Sequence, residues 1–207
     1  MEFGPDHRQA LADILRWRRD VRHFQTAPVA PEVLTRLREA MAAAPSVGNS
    51  RPWRVIEVRA PALRSGVRES FARCQAAAAA EYDGKRRQDY LALKLAGLDR
   101  APVQLAVFTE TDPAEGHRLG RLTLPETLQQ STAMAIYTLW LAARAENLGL
   151  GMVSILDPAE MERLFGVPPH WTFTAYLCLG HPEFTDDRPL LHRAGWQEDS
   201  ETVWQVR

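Results

Sequence analysis

The sequence predicts a protein of the α+β class, built as one domain over residues 1–207. Segments with apolar residues at helical spacing outnumber the short β-branched and aromatic runs that are typical of strands. The two kinds of segment do not alternate strictly enough for a doubly wound sheet. The chain also shows no internal repeat, low-complexity linker or break in composition, so nothing divides it into domains.

The first third of the chain predicts two amphipathic helices followed by a strand. Leu11, Ile14 and Leu15 lie at helical spacing and indicate a helix over about Arg8 to Arg19. A second helix over Pro31–Ala44 begins with proline at its first position, where no backbone N–H is needed. A loop rich in turn-forming residues reaches Pro52, and the alternating residues Trp53–Arg59 predict a strand.

The rest of the chain predicts a polar helical segment, a long central helix and three more strands. Residues Ser65–Gly97 are mostly helical, break at Asp83-Gly84, and carry so little apolar surface that we expect them to form a lid. The helix Pro125–Asn147 is apolar nearly all round between Ala133 and Ala145, which predicts a buried central helix. The other expected elements are the strands Val103–Thr109, Gly151–Ile155 and Phe173–Leu179, a helix over Pro158–Phe165, and a possible strand over Ser200–Arg207.

Composition excludes several classes of function. With 25 basic and 26 acidic residues, the chain is not an electrostatic partner for nucleic acid or an anionic membrane. The N-terminus lacks the features of a signal peptide, and two isolated cysteines, Cys74 and Cys178, suit a reducing cytoplasm. No GxxxxGK[ST], GxGxxG or HExxH motif is present, and the six histidines lack ligand spacing, so we expect no metal.

A cluster of arginines is the first candidate for a binding site. Arg16, Arg18, Arg19 and Arg22 fall within seven residues at the end of the first predicted helix. Guanidinium groups make bidentate contacts to phosphate, so a nearly neutral protein can hold a phosphorylated ligand with such a cluster. Arg18 and Arg22 share a helical face if the helix persists that far. The alternative is a solvated basic helix end that complements the helix dipole.

The loop Pro45–Ser50 is the second candidate. Its small side chains let backbone N–H groups approach a flat polar ring, and Ser46, Asn49 and Ser50 offer further hydrogen bonds. The alternative is a simple connector between a helix and a strand.

Several strings in this order resemble the nitroreductase-like flavoproteins and, among these, the family of 5,6-dimethylbenzimidazole synthases. The strings are RRDVR, APSVGNSRPW, LALKLAGL, LWLAARAE, GLGMVSI, AYLCLG and AGW. The resemblance runs from about Arg16 to Trp196. It implies a central, mainly antiparallel sheet flanked by helices, in a homodimer with flavin mononucleotide (FMN) at each of two sites between the subunits.

The resemblance also implies an unusual reaction, because reduced FMN is the substrate as well as the ligand. Dioxygen is the co-substrate, and the isoalloxazine ring is contracted to 5,6-dimethylbenzimidazole, the lower ligand of vitamin B12. The ribityl phosphate portion leaves largely as erythrose 4-phosphate. A separate flavin reductase is expected to supply the reduced FMN, and no metal is required.

The resemblance assigns roles to individual positions. Asp20 matches the key acid of the family, and Ser154 matches the serine near the reactive edge of the ring. The positions implied to contact FMN are Arg18, Arg19, Asp20, Val21 and Arg22 at the phosphate and ribityl end, Ser46, Val47 and Gly48 along the ring, Leu93 and Lys94 in the lid, Ser154, and Arg193 as a further phosphate contact.

Asp20 presents a chemical difficulty, because a carboxylate beside several guanidinium groups is a weak base. Either its side chain points away from Arg19 and Arg22 into an apolar pocket, or it orients other groups. The alternative is a purely structural role, in which Asp20 forms an ion pair with Arg16 four residues earlier. Ser154 has an alternative as well, since a serine at a strand end is often only a packing residue.

The sequence departs from the family pattern at Leu128–Gln130, before Ser131, and at Gln197, where relatives often carry arginine. The first departure concerns contacts near the ring or between subunits, and the second weakens the assignment of Arg193. Two rival functions stay open: an NAD(P)H-dependent nitroreductase or flavin reductase that cycles FMN, and a binding protein without activity.

Overall fold

A computed structural model describes residues 1–93 and 97–207, and over these the chain forms seven helices and four strands. The helices are α1 (Pro5–Trp17), α2 (Pro31–Ala42), α3 (Pro61–Ala80), α4 (Gly84–Ala92), α5 (Thr127–Ala145), α6 (Pro158–Phe165) and α7 (Leu190–Arg193). The strands are β1 (Trp53–Glu57), β2 (Val103–Glu110), β3 (Gly149–Val153) and β4 (Trp171–Gly180). Short 3-10 turns lie at Val47–Asn49 and Glu115–Arg118.

The four strands form one antiparallel sheet in the order β1-β2-β4-β3. Val55 pairs with Val107, Leu105 with Leu177, and Leu177 in turn with Met152. Each strand coincides with a segment predicted from the sequence, with ends displaced by a few residues. The predicted α+β class with an antiparallel sheet is confirmed.

Helices cover both faces of the sheet, and each face has its own core. On one face α2 and α5 pack against β2 and β4, and the buried residues there include Leu37, Met41, Ile136, Leu139 and Leu177. On the other face α3 and α6 pack, and the buried residues there include Val58, Val67, Phe108, Met161 and Tyr176. The sheet is therefore the middle layer of three.

The first helix begins and ends earlier in the chain than predicted, which changes the geometry of the arginine cluster. It ends at Trp17, and Arg18 already has an extended backbone with φ −73° and ψ 110°. The helix therefore does not persist far enough for Arg18 and Arg22 to share a helical face. The chain leaves the helix because the backbone from Asp20 onwards finds hydrogen-bond partners on β3.

The long helix α5 is buried on one face only. Ala135, Ile136, Leu139 and Ala143 pack into the core. Met134 and Tyr137 are each 42% exposed on the opposite face. The prediction of a helix buried all round is therefore wrong for the single chain, and these two apolar side chains are left exposed on its outer side.

The polar segment between β1 and β2 is more integrated than a simple lid. Helix α3 buries Val67 in the second core, with Leu63 and Phe71 packed against it. Helix α4 buries Tyr90 alone among its nine residues, so only α4 has the loose attachment expected of a lid.

The C-terminal tail differs from its prediction too. Residues 200–207 form no strand and are exposed throughout, which contradicts the expected last strand. Over the described residues, no helix combines the length and the apolar character needed to cross a bilayer.

Candidate functional site

The segment that follows α1 runs beside the edge strand β3 as a short parallel partner. Asp20 forms a parallel bridge with Leu150, and the Val21 N–H donates to the Leu150 carbonyl at 3.1 Å. The Met152 N–H then donates to Asp20 Oδ1 at 3.0 Å. The sheet edge therefore fixes both the backbone and the carboxylate of this segment.

Two glycines on β3 permit this close approach. A Cβ atom on Gly151 would lie 2.1 Å from the backbone oxygen of Val21, a distance that real atoms do not adopt. A Cβ on Gly149 would lie 2.7 Å from the Val21 side chain. The motif Gly-Leu-Gly is therefore required because its backbone packs directly against the backbone of the arginine segment.

Both oxygens of the Asp20 carboxylate accept hydrogen bonds. Arg22 Nε donates to Oδ2 at 2.8 Å, and the Met152 N–H holds Oδ1. Of the two alternatives, the one in which Asp20 points away from Arg22 is therefore wrong, and the one in which it orients other groups agrees with the geometry. The pairing of Asp20 with Arg16 is also wrong, since Arg16 binds Asp187 at 2.5 Å.

Arg18 and Arg19 lie against the end of α5. The Arg18 guanidinium stacks over Tyr137 and Trp140, with its carbon 5.7 Å and 5.2 Å from the ring centres. Arg19 donates to the carbonyls of Arg18 and Asp187, and Trp140 Nε1 donates to the Arg19 carbonyl at 3.2 Å. Burial, and then the charge of Arg18, lower the pKa of Arg19 below its ordinary value.

These side chains line a strongly basic cleft, which we call the arginine cleft. Six arginines and two aspartates line it: Arg18, Arg19, Arg22, Arg144, Arg188, Arg193, Asp20 and Asp186. Arg193 pairs with Asp186 at 2.9 Å, and Val21 lies at the floor beside β3. The Nε atoms of Arg18 and Arg19 are buried and have no acceptor among residues 1–93 and 97–207. The cleft therefore combines excess positive charge with unused buried donors, as an anion site does.

The Ser46–Gly48 loop lies elsewhere. The Val47 N–H donates to Ser131 Oγ at 3.0 Å, and the Arg51 N–H donates to Ser46 Oγ at 3.0 Å. Gly48 has φ +56°, and a Cβ there would lie 2.9 Å from the Gly116 carbonyl oxygen. The expectation that these backbone N–H groups are available to a flat ring is therefore wrong for Val47, whose N–H is satisfied within the chain.

A single chain keeps the two halves of the predicted site apart. Ser131 holds the loop near the start of α5, and Trp140 holds the arginine segment nine positions later. At 1.5 Å per residue these two contacts lie about 14 Å apart along the helix. The structure thus brings together residues 18–22 with Arg193, and leaves Ser46–Gly48 at the far end.

Ser154 and Leu93 flank the arginine segment. Ser154 is exposed and follows β3 two residues after Met152, whose N–H holds Asp20. Leu93 follows α4 and, together with Arg22, lines a second cavity of about 600 Å³, which we call the α4 cavity. The remaining predicted lid residue, Lys94, lies outside the described residues.

Sequence reasoning missed several residues that shape this region. Ser131, Trp140 and Asp187 contact the candidate residues from distant parts of the chain. Trp140 stands in the string LWLAARAE, which was a usable signal, whereas Asp187 stands in no recognised motif. Within the part of the chain that the structure describes, no three His, Cys, Asp or Glu side chains group as metal ligands.

Comparison with known proteins agrees with this architecture. A sequence model of the Nitroreductase family matches residues 15–181. The chain is 62% identical, over 207 residues and the full length of both proteins, to a 5,6-dimethylbenzimidazole synthase of Rhodobacter capsulatus. It is 48% identical to the 5,6-dimethylbenzimidazole synthase of Rhodospirillum rubrum, covering 94% of this chain and 92% of that one.

Among solved structures, oxidised iodotyrosine deiodinase bound to FMN and 3-iodo-L-tyrosine superimposes with a TM-score of 0.73. The two are 23% identical, and the alignment covers 95% of this chain and 97% of the other. This likeness concerns the fold alone, whereas the family match spans most of the chain. The chain belongs to the nitroreductase family.

Proposed function

We propose that this protein is a 5,6-dimethylbenzimidazole synthase that converts reduced FMN, with dioxygen, into the lower ligand of vitamin B12. The observation that carries the proposal is the 62% identity over all 207 residues to a relative of that name. The geometry around Asp20 supports it, because two hydrogen bonds hold the carboxylate, and one of them comes from Met152, two residues before the exposed Ser154.

FMN fits the arginine cleft by its chemistry. A phosphate group would accept from the buried Nε atoms of Arg18 and Arg19 and offset part of the positive charge of the cleft. The cleft encloses only about 40 Å³ in the single chain, so we expect the side chains of Arg18 and Arg19 to turn outward when a phosphate enters. Arg193, whose partner Asp186 lies at the cleft edge, is proposed as a further phosphate contact.

Reduced FMN, when bound, supplies the electrons for the reaction with dioxygen, so no metal is proposed. The chain has to bind the phosphate, exclude water and hold protons in place. Asp20 is proposed to orient the reacting groups, because Arg22 and the Met152 N–H already occupy its two oxygens. Ser154 is proposed to donate a hydrogen bond toward the ring from the adjacent strand end.

We further propose that the site is completed in a homodimer. Within one chain the arginine segment and the Ser46–Gly48 loop lie about 14 Å apart along α5. A two-fold axis that pairs the outer faces of two α5 helices in opposite directions would place the loop of one copy near the arginine cleft of the other. The exposed Met134 and Tyr137 supply the apolar surface for that contact.

The C-terminal tail supports the same assembly. Val203, Trp204 and Val206 are 83%, 87% and 92% exposed, an unfavourable arrangement for apolar side chains in a lone chain. At the other edge of the sheet, β1 borders an apolar groove of about 350 Å³ that Trp53 and Val55 help to line. The tail of a second copy is the proposed occupant, added beside the edge strand.

The main rival is an NAD(P)H-dependent nitroreductase or flavin reductase that keeps and recycles FMN. A direct test mixes the purified protein with chemically reduced FMN in air and follows the products by chromatography. We expect 5,6-dimethylbenzimidazole to accumulate. Return of intact oxidised FMN without that product would refute the synthase, and steady NADPH oxidation with a nitroaromatic acceptor would favour the rival. A separate flavin reductase is proposed to supply reduced FMN.

Asp20→Asn tests the assigned residue in the same assay. In this variant the side-chain amide oxygen can still accept a hydrogen bond from the Met152 N–H, but the negative charge that pairs with Arg22 is lost. We expect FMN binding to persist and product formation to fall about a hundredfold or more. Asp13→Asn on the exposed helix α1 is the matched control. Lost binding with normal turnover of what still binds would contradict the role of Asp20.

A further inference from the structure

The motif Ala-Gly-Trp after α7 has no assigned role, and two backbone hydrogen bonds fix its geometry. Gly195 has φ +66°, and its N–H donates to the His192 carbonyl at 3.0 Å. The Trp196 N–H donates to the Leu191 carbonyl at 2.9 Å. This pair of bonds is a Schellman motif, in which glycine takes the left-handed position and the next residue folds back over the helix. The side chain of Trp196 is therefore aimed by the helix that carries Arg193.

Trp196 is aimed at α4. The Arg86 guanidinium carbon lies 3.6 Å from the centre of the indole, and Arg86 Nη2 donates to the Trp196 carbonyl at 3.3 Å. Tyr82 meets the indole edge-on at 5.7 Å, and Tyr90 lies at 6.1 Å. The two tyrosines contact each other at 5.1 Å. These four side chains, which we call the Trp196 cluster, form a stacked contact between the C-terminal segment and α4.

This cluster is a major attachment of α4. Tyr90, the one buried residue of that helix, belongs to it, and burial raises the pKa of the Tyr90 hydroxyl above its ordinary value. Helix α4 ends at Ala92, and the next residue, Leu93, lines the α4 cavity with Arg22. A displacement of α4 therefore changes the wall of a cavity that borders the arginine segment.

The other end of the same turn reaches the arginine cleft. Arg193 lines the cleft, and Trp196 follows three residues later. Helix α7 has only four residues, so the contacts of its side chains, more than its own backbone bonds, decide its orientation. An anion bound by Arg193 would thus fix the direction in which Trp196 projects.

We propose that Trp196 is a positioning residue that couples occupancy of the arginine cleft to the placement of α4, and through α4 to the placement of Leu93 in the wall of the α4 cavity. The proposal rests on the proposed function in one respect, namely that the FMN phosphate binds in the arginine cleft. When the phosphate orders α7, the Schellman turn holds the indole against Arg86 and the tyrosines, and α4 is held in place. Ligand binding at one end of the site then closes its other wall.

Hydrogen–deuterium exchange with oxidised FMN as the probe tests this coupling. In the wild-type protein FMN is expected to slow amide exchange in residues 18–22, in α7 and in α4. In Trp196→Ala the slowing in α4 is expected to weaken about fivefold, the size of one cation–π contact, while residues 18–22 stay protected. Trp196→Phe, which keeps a ring face for Arg86, is expected to restore part of the effect.

A second pair of variants keeps the test independent of any folding defect in Trp196→Ala. Arg86→Ala removes the stacked guanidinium and is expected to reproduce the loss in α4. Its neighbour Arg87 is exposed on the same helix, and Arg87→Ala makes the same change of charge without touching the indole. Equal slowing of α4 by FMN in the wild type, Trp196→Ala and Arg86→Ala would overturn the coupling. Failure of FMN to protect residues 18–22 in the wild type would instead overturn the proposed FMN site.

Discussion

Gly151→Ala is expected to damage the site and the fold together, because Gly151 is where β3 and the arginine segment meet. The new Cβ would lie 2.1 Å from the backbone oxygen of Val21. A backbone atom cannot rotate out of the way as a side-chain tip can, so the whole segment has to move away from β3. The movement lengthens the bond from the Val21 N–H to Leu150 and the bond from the Met152 N–H to Asp20.

The cost follows from these contacts. Forcing an extra methyl group into a packed site costs about 1–3 kcal/mol. A lost backbone hydrogen bond adds about 1 kcal/mol, and weakening a bond to a charged carboxylate adds about as much again. We therefore expect the free energy of unfolding to fall by about 3–5 kcal/mol. For a chain of this size, that loss lowers Tm by about 6–20 °C.

Urea unfolding and FMN titration measure the two effects. Gly149→Ala is the matched control, since its Cβ would meet the Val21 side chain and not its backbone. We expect Gly149→Ala to lower stability less than Gly151→Ala, and to keep more of the FMN affinity. Wild-type stability and affinity in Gly151→Ala would refute the argument that this close approach positions Asp20.

Two further predictions concern the tail and the acid end of the pH range. Removal of residues 198–207 is expected to convert a dimer into monomers in light scattering, because the apolar groove beside β1 loses the tail side chains Trp204 and Val206 that are proposed to fill it. An unchanged dimer would contradict the tail exchange. The hydrogen bond from Arg16 lowers the pKa of the Asp187 carboxyl. This pair therefore stabilises the fold fully at pH values above the ordinary pKa of an aspartate, about 4, and the stabilisation is lost as the pH falls through the lowered pKa. In Asp187→Asn the free energy of unfolding, measured with urea, should therefore fall less steeply with decreasing pH than in the wild type. An equally steep fall in both proteins would contradict the role of the pair.

Local pattern alone was sufficient for most of the secondary structure. Pro31 at the start of α2 and Pro158 at the start of α6 mark helices that begin where predicted. The alternation of apolar and polar residues in Trp53–Glu57 predicted β1, because the spacing of apolar residues reflects which face of a strand is buried. The ends of elements were less predictable, because Trp17 ends α1 only where the following backbone finds partners on β3. That residues 1–207 form one domain stays a prediction.

By itself, the sequence determined the family, the sheet, and the candidate residues Asp20, Arg22 and Ser154, because motifs and periodicity are properties of short stretches of chain. Only the tertiary structure decided how those residues are arranged. The Asp20 carboxylate is held by Arg22 and Met152, and the Ser46–Gly48 loop lies at the far end of α5. The bond from Met152 to Asp20 joins residues 132 positions apart, and the bond from Val47 to Ser131 joins residues 84 positions apart. No local pattern encodes which distant groups will satisfy a given side chain.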